Sequence, residues 1–121
     1  MKIHTVLEND IEIAIVSSSD ILIKDVQSAL DLIATVGFET GCYRIVLNKS
    51  SICEEFFDLK TRLAGEILQK FINYHVKIVI VGDFSVYKSK SLRDFIYETN
   101  KGNNIFFLPD EEQAIKKLSL A

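Results

Sequence analysis

Two short runs of mixed apolar and polar residues open the chain, Lys2–Leu7 and Ile11–Ser17, both rich in β-branched side chains. Glu8-Asn9-Asp10 between them suits a tight reversal, so the segment predicts a β-hairpin. From Ile23 the spacing becomes helical: Ile23, Val26, Leu30 and Ile33 repeat with Ala29 and Val36 beside them. Ser17-Ser18-Ser19-Asp20 offers cap oxygens ahead of this run, and Gly37 stands where a left-handed residue ends a helix. The first helix is therefore expected over about Ile21–Val36.

Tyr43–Leu47 reads as a strand followed by the polar loop Asn48-Lys49-Ser50-Ser51. A longer helix is expected from about Asp58 to Tyr74, with Leu59, Leu63, Ile67, Phe71 and Tyr74 on one stripe and Ala64, Leu68 and Ile72 widening it. Gly65 in its middle costs about 1 kcal/mol relative to Ala, which suggests a close approach by a neighbouring element. Val76–Val81 is nearly all apolar, as a central parallel strand covered on both faces must be. Gly82-Asp83 ends it, Ser85–Ser91 forms a loop, and Leu92, Phe95 and Ile96 begin a short third helix that stops near Lys101-Gly102. Asn104–Leu108 is the last strand, and Pro109-Asp110-Glu111-Glu112 opens a final helix with acidic residues at its positive dipole end.

The resulting order, β-β-α-β-α-β-α-β-α, describes a single α/β domain with a mixed, mostly parallel sheet whose first strand runs antiparallel. Most helices should lie on one face. Glu12, Arg44 and Lys77 are read as sharing a phase with Ala14, Val16, Val46, Val79 and Val81, so the second face is expected to be polar at one end. A helix or a partner subunit should cover its apolar end.

Composition narrows the classes. With 14 Lys and Arg against 17 Asp and Glu, the net charge of −3 disfavours a general nucleic-acid binder. No apolar run is long enough for a signal peptide or a membrane span, so a cytoplasmic protein without membrane attachment is expected. Cys42 and Cys53 form no CxxC pair, and the two histidines, His4 and His75, stand far apart. No metal site, no cofactor and no catalytic motif is expected from them. The carboxylates beside Cys53, Glu54 and Glu55, should disfavour its thiolate.

In open α/β sheets, ligands bind beyond the C-terminal ends of the parallel strands. That rule selects Ser17–Asp20, Asn48–Ser51 with the approach to Asp58, Gly82–Ser91 and Pro109–Glu112. Asp83 and Phe84 after a flexible Gly82, with Lys88, Lys90, Ser91 and Arg93 following, offer a carboxylate, several cations and a helix start that could receive an anion. A second cluster is Asp58, Lys60, Thr61, Arg62 and Glu66. There Asp58 has a competing reading as a cap, and Arg62 and Glu66 one as an i, i+4 surface ion pair. Phe56 and Phe57 read as core.

Two segments, Phe56–Phe71 and Val79–Phe84 with Lys90–Ile96, resemble a small bacterial family known as domain of unknown function 4180, over nearly the whole chain. More distantly, the element order and the ending Ile105–Ile115 resemble STAS domains, the anti-sigma-factor-antagonist class. That likeness implies a regulatory domain that docks a protein. In STAS domains a phosphorylatable Ser commonly follows an Asp at the start of the second long helix; here Leu59 follows Asp58, and Thr61 is the nearest hydroxyl. The expected function is a non-catalytic, STAS-like regulatory or protein-interaction module that binds a protein partner or forms a homodimer. The alternative is a small-molecule, nucleotide or anion binder, an enzyme included, using the strand C-terminal edge.

Overall fold

Asn9 and Asp10 both adopt positive φ, 53° and 63°, as a two-residue hairpin turn requires and as Asn and Asp tolerate better than most residues. They join β1 (Lys2–Glu8) to β2 (Ile11–Ser17), which pair antiparallel in a computed structural model that describes residues 1–121. There follow α1 (Val26–Thr40), β3 (Arg44–Asn48), α2 (Leu63–Asn73), β4 (Lys77–Val81), α3 (Lys90–Asn100), β5 (Ile105–Leu108) and α4 (Glu111–Leu120). The strands lie in the order β1-β2-β3-β4-β5, and every pairing from β2 to β5 is parallel.

Each parallel step thus joins sheet neighbours, and crossovers of one hand set their helices on one side. Ala29, Leu32 and Val36 of α1, Ile67 and Phe71 of α2 and Leu92 of α3 all pack there against alternate strand residues such as Val16, Leu47 and Ile80. The other face belongs to α4: its fully buried Ala114 and Leu118 sit among Ile13, Ile15, Val46, Val79 and Phe106, and the helix touches all five strands. The chain's own helix therefore covers the face that the sequence left open to a helix or a partner subunit. The strand phases also need correction. Ala14 pairs with Ile45 and Val16 with Leu47, so Glu12, Ala14 and Val16 face α1 to α3, whereas Arg44, Val46, Lys77, Val79 and Val81 face α4. Register between separate strands is set by their pairing, and an offset of one residue reverses every side chain.

The first helix starts at Val26, not Ile21, because the residues before it are held extended. Leu22 and Ile23 donate their N–H groups to Ser51 O at 2.7 and 3.1 Å, Ile23 O accepts from Cys53 N at 2.9 Å, and Ile23 and Ile52 form a parallel bridge. Asp25 is the actual cap. Its carboxylate accepts from Ser28 N at 2.7 Å while Ser28 Oγ accepts from Asp25 N, a reciprocal capping box. At the other end the left-handed residue is Gly41 (φ 72°), and Gly37 lies within the helix.

The second long helix is shorter at its start. Residues 54–57 and 59–61 form 3₁₀ turns, and Arg62 at φ 65° breaks the chain direction before α2 begins at Leu63. Asp58 accepts from Lys60 N at 3.2 Å, and the Thr61 hydroxyl is shared between Asp58 O and Glu55 O. These local bonds compete with a continuous helix. Ile72 and Tyr74, expected on the apolar stripe, are exposed. Gly65 has no neighbour near: a Cβ built there meets nothing within 4 Å. Gly65→Ala should therefore stabilise the fold by about 1 kcal/mol, raising Tm by about 4 °C in a thermal melt. No gain, or a loss, would restore the idea of a packing constraint.

The two sheet edges differ. Along β5, the Asn100 side chain at the end of α3 accepts from Phe107 N at 2.7 Å and donates to Phe107 O at 3.0 Å, occupying the place where another strand would pair. Along β1 no such cover exists, and five of its seven residues are exposed.

Candidate functional site

Because β2 to β5 are parallel, the loops after Ser17, Asn48, Val81 and Leu108 gather at one rim. The Ile23–Ile52 bridge ties the first two of these loops together. Between the second and third lies an open cleft of about 460 Å³ bordered by Ile21, Asn48, Lys49, Ser50, Ile52, Glu54, Gly82, Asp83 and Val86.

Lys49 is its central cation. The alkyl chain of Lys49 lies across Gly82, where a Cβ would come within 2.8 Å of Lys49 Cβ and 2.9 Å of Cδ. Gly82 is thus required for close approach and not for flexibility, a correction to its reading as a flexible residue. The Lys49 ammonium stands 5.0 Å over the Tyr87 ring, and that ring stacks on Phe57 at 5.1 Å. Tyr87 Oη bonds the Glu54 carboxylate, with Oε2 at 3.1 Å. Burial and the Glu54 carboxylate push the Tyr87 hydroxyl well above the ordinary tyrosine range, so Tyr87 stays a neutral donor. Asp83 accepts from Ser85 N at 3.0 Å and from the Ser85 hydroxyl. Those bonds, with a smaller contribution from Lys49, hold its carboxyl below the usual carboxylate range. The cleft thus presents one cation, two carboxylates and the exposed apolar side chains of Ile21 and Val86.

The residues singled out from sequence fall in three places. Asp83 borders the cleft. Phe84 is half-buried beneath it, 5.4 Å from Phe107 and 6.1 Å from Phe57. Lys88 is exposed; Lys90 and Ser91 lie in the first turn of α3, not in the loop, because Ser89 caps that helix by accepting from Leu92 N. Lys90 is also engaged, 2.8 Å from Asp94. Asp58, Lys60, Thr61 and Arg62 form the exposed turn beyond Phe57. The Phe57, Phe84 and Tyr87 rings and the Tyr87–Glu54 hydrogen bond connect the loop after β4 to the segment that leads into this turn. Arg62 and Glu66 make no ion pair, since Arg62 sits in the left-handed break ahead of the helix that carries Glu66.

Lys49 and Tyr87 lie in segments that the strand-end rule selects, and Glu54 on the approach to Asp58, but the sequence singles out none of the three as a site residue. Lys49 carries one usable signal, its place directly after the C-terminal end of a parallel strand. Cys53 is reduced and half-buried. Burial, more than Glu55, raises its thiol. At the opposite end of the sheet, a second groove of about 390 Å³ lies among Tyr43, Arg44, Tyr74, His75 and Lys77. Its two strong cations already hold the fold: Arg44 donates to Ala121 O at 2.9 Å and Lys77 to Asn103 O at 2.6 Å. Burial, then Arg44, lowers the Lys77 ammonium below the ordinary lysine range. No cluster of three His, Cys, Asp or Glu residues with metal-binding geometry is present, and no helix is long and apolar enough to cross a membrane.

A family model described as "Domain of unknown function (DUF4180)" matches residues 8–118. No curated protein and no solved structure matches the chain significantly.

Proposed function

The chain belongs to this family of unknown function, and we propose that it is a non-catalytic protein-interaction module of regulatory type whose strand C-terminal rim receives a polypeptide partner. The observation that carries the reading is the composition of the cleft. Ile21 and Val86, 47% and 58% exposed, flank Lys49, Asp83 and Glu54, giving apolar anchors within charges of both signs. Such a mixture fits a peptide surface, with its own apolar and charged groups, better than a small anion, which would meet two carboxylates beside one lysine. The regulatory part rests on the likeness to STAS domains in element order and in the acidic helix start after β5. Thr61, the hydroxyl nearest to where that class is phosphorylated, already donates to backbone carbonyls.

Affinity capture with the tagged protein tests the proposal when run beside an Ile21→Asp/Val86→Asp variant. Both side chains are exposed, so the fold should persist while at least one specific partner is lost by tenfold or more. An identical partner set for both proteins, or no specific partner, would remove the reading. A thermal-shift response of the untagged protein to a nucleotide or sugar phosphate, abolished by Lys49→Ala, would favour the small-ligand alternative.

A further inference from the structure

We infer that β1 is the seam of a homodimer, in which two copies pair their first strands antiparallel about a two-fold axis at Thr5 and extend the five-stranded sheet to ten strands. This seam is separate from the rim and does not depend on what binds there.

The backbone sets the pattern. In a two-residue hairpin the flanking pair, Glu8 and Ile11, exchanges both hydrogen bonds. By alternation Lys2, His4 and Val6 bond to β2, and the N–H and C=O groups of Ile3, Thr5 and Leu7 point outward. An unpaired row of this kind is a template for another strand. The opposite edge is closed to such pairing by Asn100 on Phe107, so β1 is the edge left for a second copy.

The side chains choose the register. With the axis at Thr5, all three outward residues find partners: Ile3 faces the second copy's Leu7, Thr5 faces Thr5, and Leu7 faces Ile3. Lys2 then lies opposite the second copy's Glu8 at both ends of the seam, and His4 opposite Val6. Opposite charges, threonine pairs and branched apolar pairs are the favourable cross-strand combinations. Moving the axis to His4 sets two histidines against each other; moving it to Val6 sets Ile3 against the turn residue Asn9.

The flank of the seam is apolar and uncovered in one copy. Ile3, Thr5 and Leu7 oppose Val16, Ala14 and Glu12 and so share the face that carries α1. Met1 borders a groove with Ser28, Asp31 and Thr35 of that helix. Phe38, one turn beyond Thr35 on the same flank, is 93% exposed, and Leu7 is 65% exposed. Two-fold pairing brings the second copy's Leu7 and α1 flank to these residues, adding apolar area to strand pairing that alone would bury little.

Sedimentation or light scattering over a concentration series up to about 100 µM reads the dimer. The wild type should dimerise. Thr5→Pro should be monomeric with unchanged far-UV circular dichroism, because the Thr5 N–H serves only the outer edge, where proline is tolerated. Lys2→Glu should raise the dimer dissociation constant by about tenfold through like charges at both ends, and adding Glu8→Lys should restore it. That rescue decides the matter even if Thr5→Pro perturbs folding, since Lys2 and Glu8 are exposed and form no ion pair within one copy. A wild type that stays monomeric, a dimer untouched by Thr5→Pro in a folded protein, or a charge reversal without rescue would overturn the inference.

Discussion

Phe57→Ala should cost about 3–5 kcal/mol in a denaturant titration, the largest effect expected of any single rim residue. Phe57 is 4% exposed, and its ring meets Phe56 at 5.0 Å, Tyr87 at 5.1 Å and Phe84 at 6.1 Å. Truncation leaves a cavity and removes three aromatic contacts. Against a total stability of about 5–15 kcal/mol for a domain of this kind, that is about a fifth or more. The damage should also be local, because Tyr87 loses the ring on which it stacks and Lys49 loses a fixed Tyr87. Hydrogen exchange should therefore quicken between Phe84 and Ser89 more than in β3 or β4. A loss below about 1 kcal/mol would mean that the rim loops do not depend on this ring.

Asn100→Ala should cost about 2 kcal/mol or more, and the cause is polar. Phe107 is buried, and its N–H and C=O reach Asn100 in two opposed hydrogen bonds. Without the amide both groups stay desolvated and unpaired, each at a cost of about 1–3 kcal/mol less whatever water recovers. Asn100→Asp should not rescue, because a carboxylate can accept from the N–H but sets an anion against the carbonyl. The Phe107 amide should be among the slowly exchanging ones in the wild type and fast in Asn100→Ala. Unchanged protection at that amide would show that the bonds contribute nothing. The same variant bares the β5 edge, so increased self-association at high concentration should accompany the destabilisation.

How far the chain could be read without coordinates depends on how local each signal is. The hairpin, the central strand at Val76–Val81 and the capped start of α4 are stated by neighbouring residues, and the structure has them. Asp110 caps α4 by accepting from Gln113 N at 2.8 Å, within reach of any reading of Pro109-Asp110-Glu111-Glu112. Helix α1 begins later than its periodicity predicts because Ile23, in helical phase with Val26, is held extended by Ile52, nearly thirty residues away. The second helix is shorter than its periodicity predicts because Asp58 and Thr61 engage their side chains in local turns that periodicity cannot register. At the rim, Asp83 was visible as a carboxylate after a strand. The Lys49–Tyr87–Phe57 stack was not, since its members come from two loops that meet only once the parallel sheet has formed. Gly65 and Gly82 make the contrast plain: the glycine expected to be crowded stands free, and the one expected to be free is crowded by Lys49.

Helix α4 is synthesised after every strand it touches. On the ribosome, and in any refolding that proceeds from the hairpin onward, the sheet can assemble with α1 to α3 on one side while Ile13, Ile15, Val46, Val79 and Phe106 have no intramolecular lid. Until residues 111–120 arrive, that surface is a site for chaperones or for aggregation.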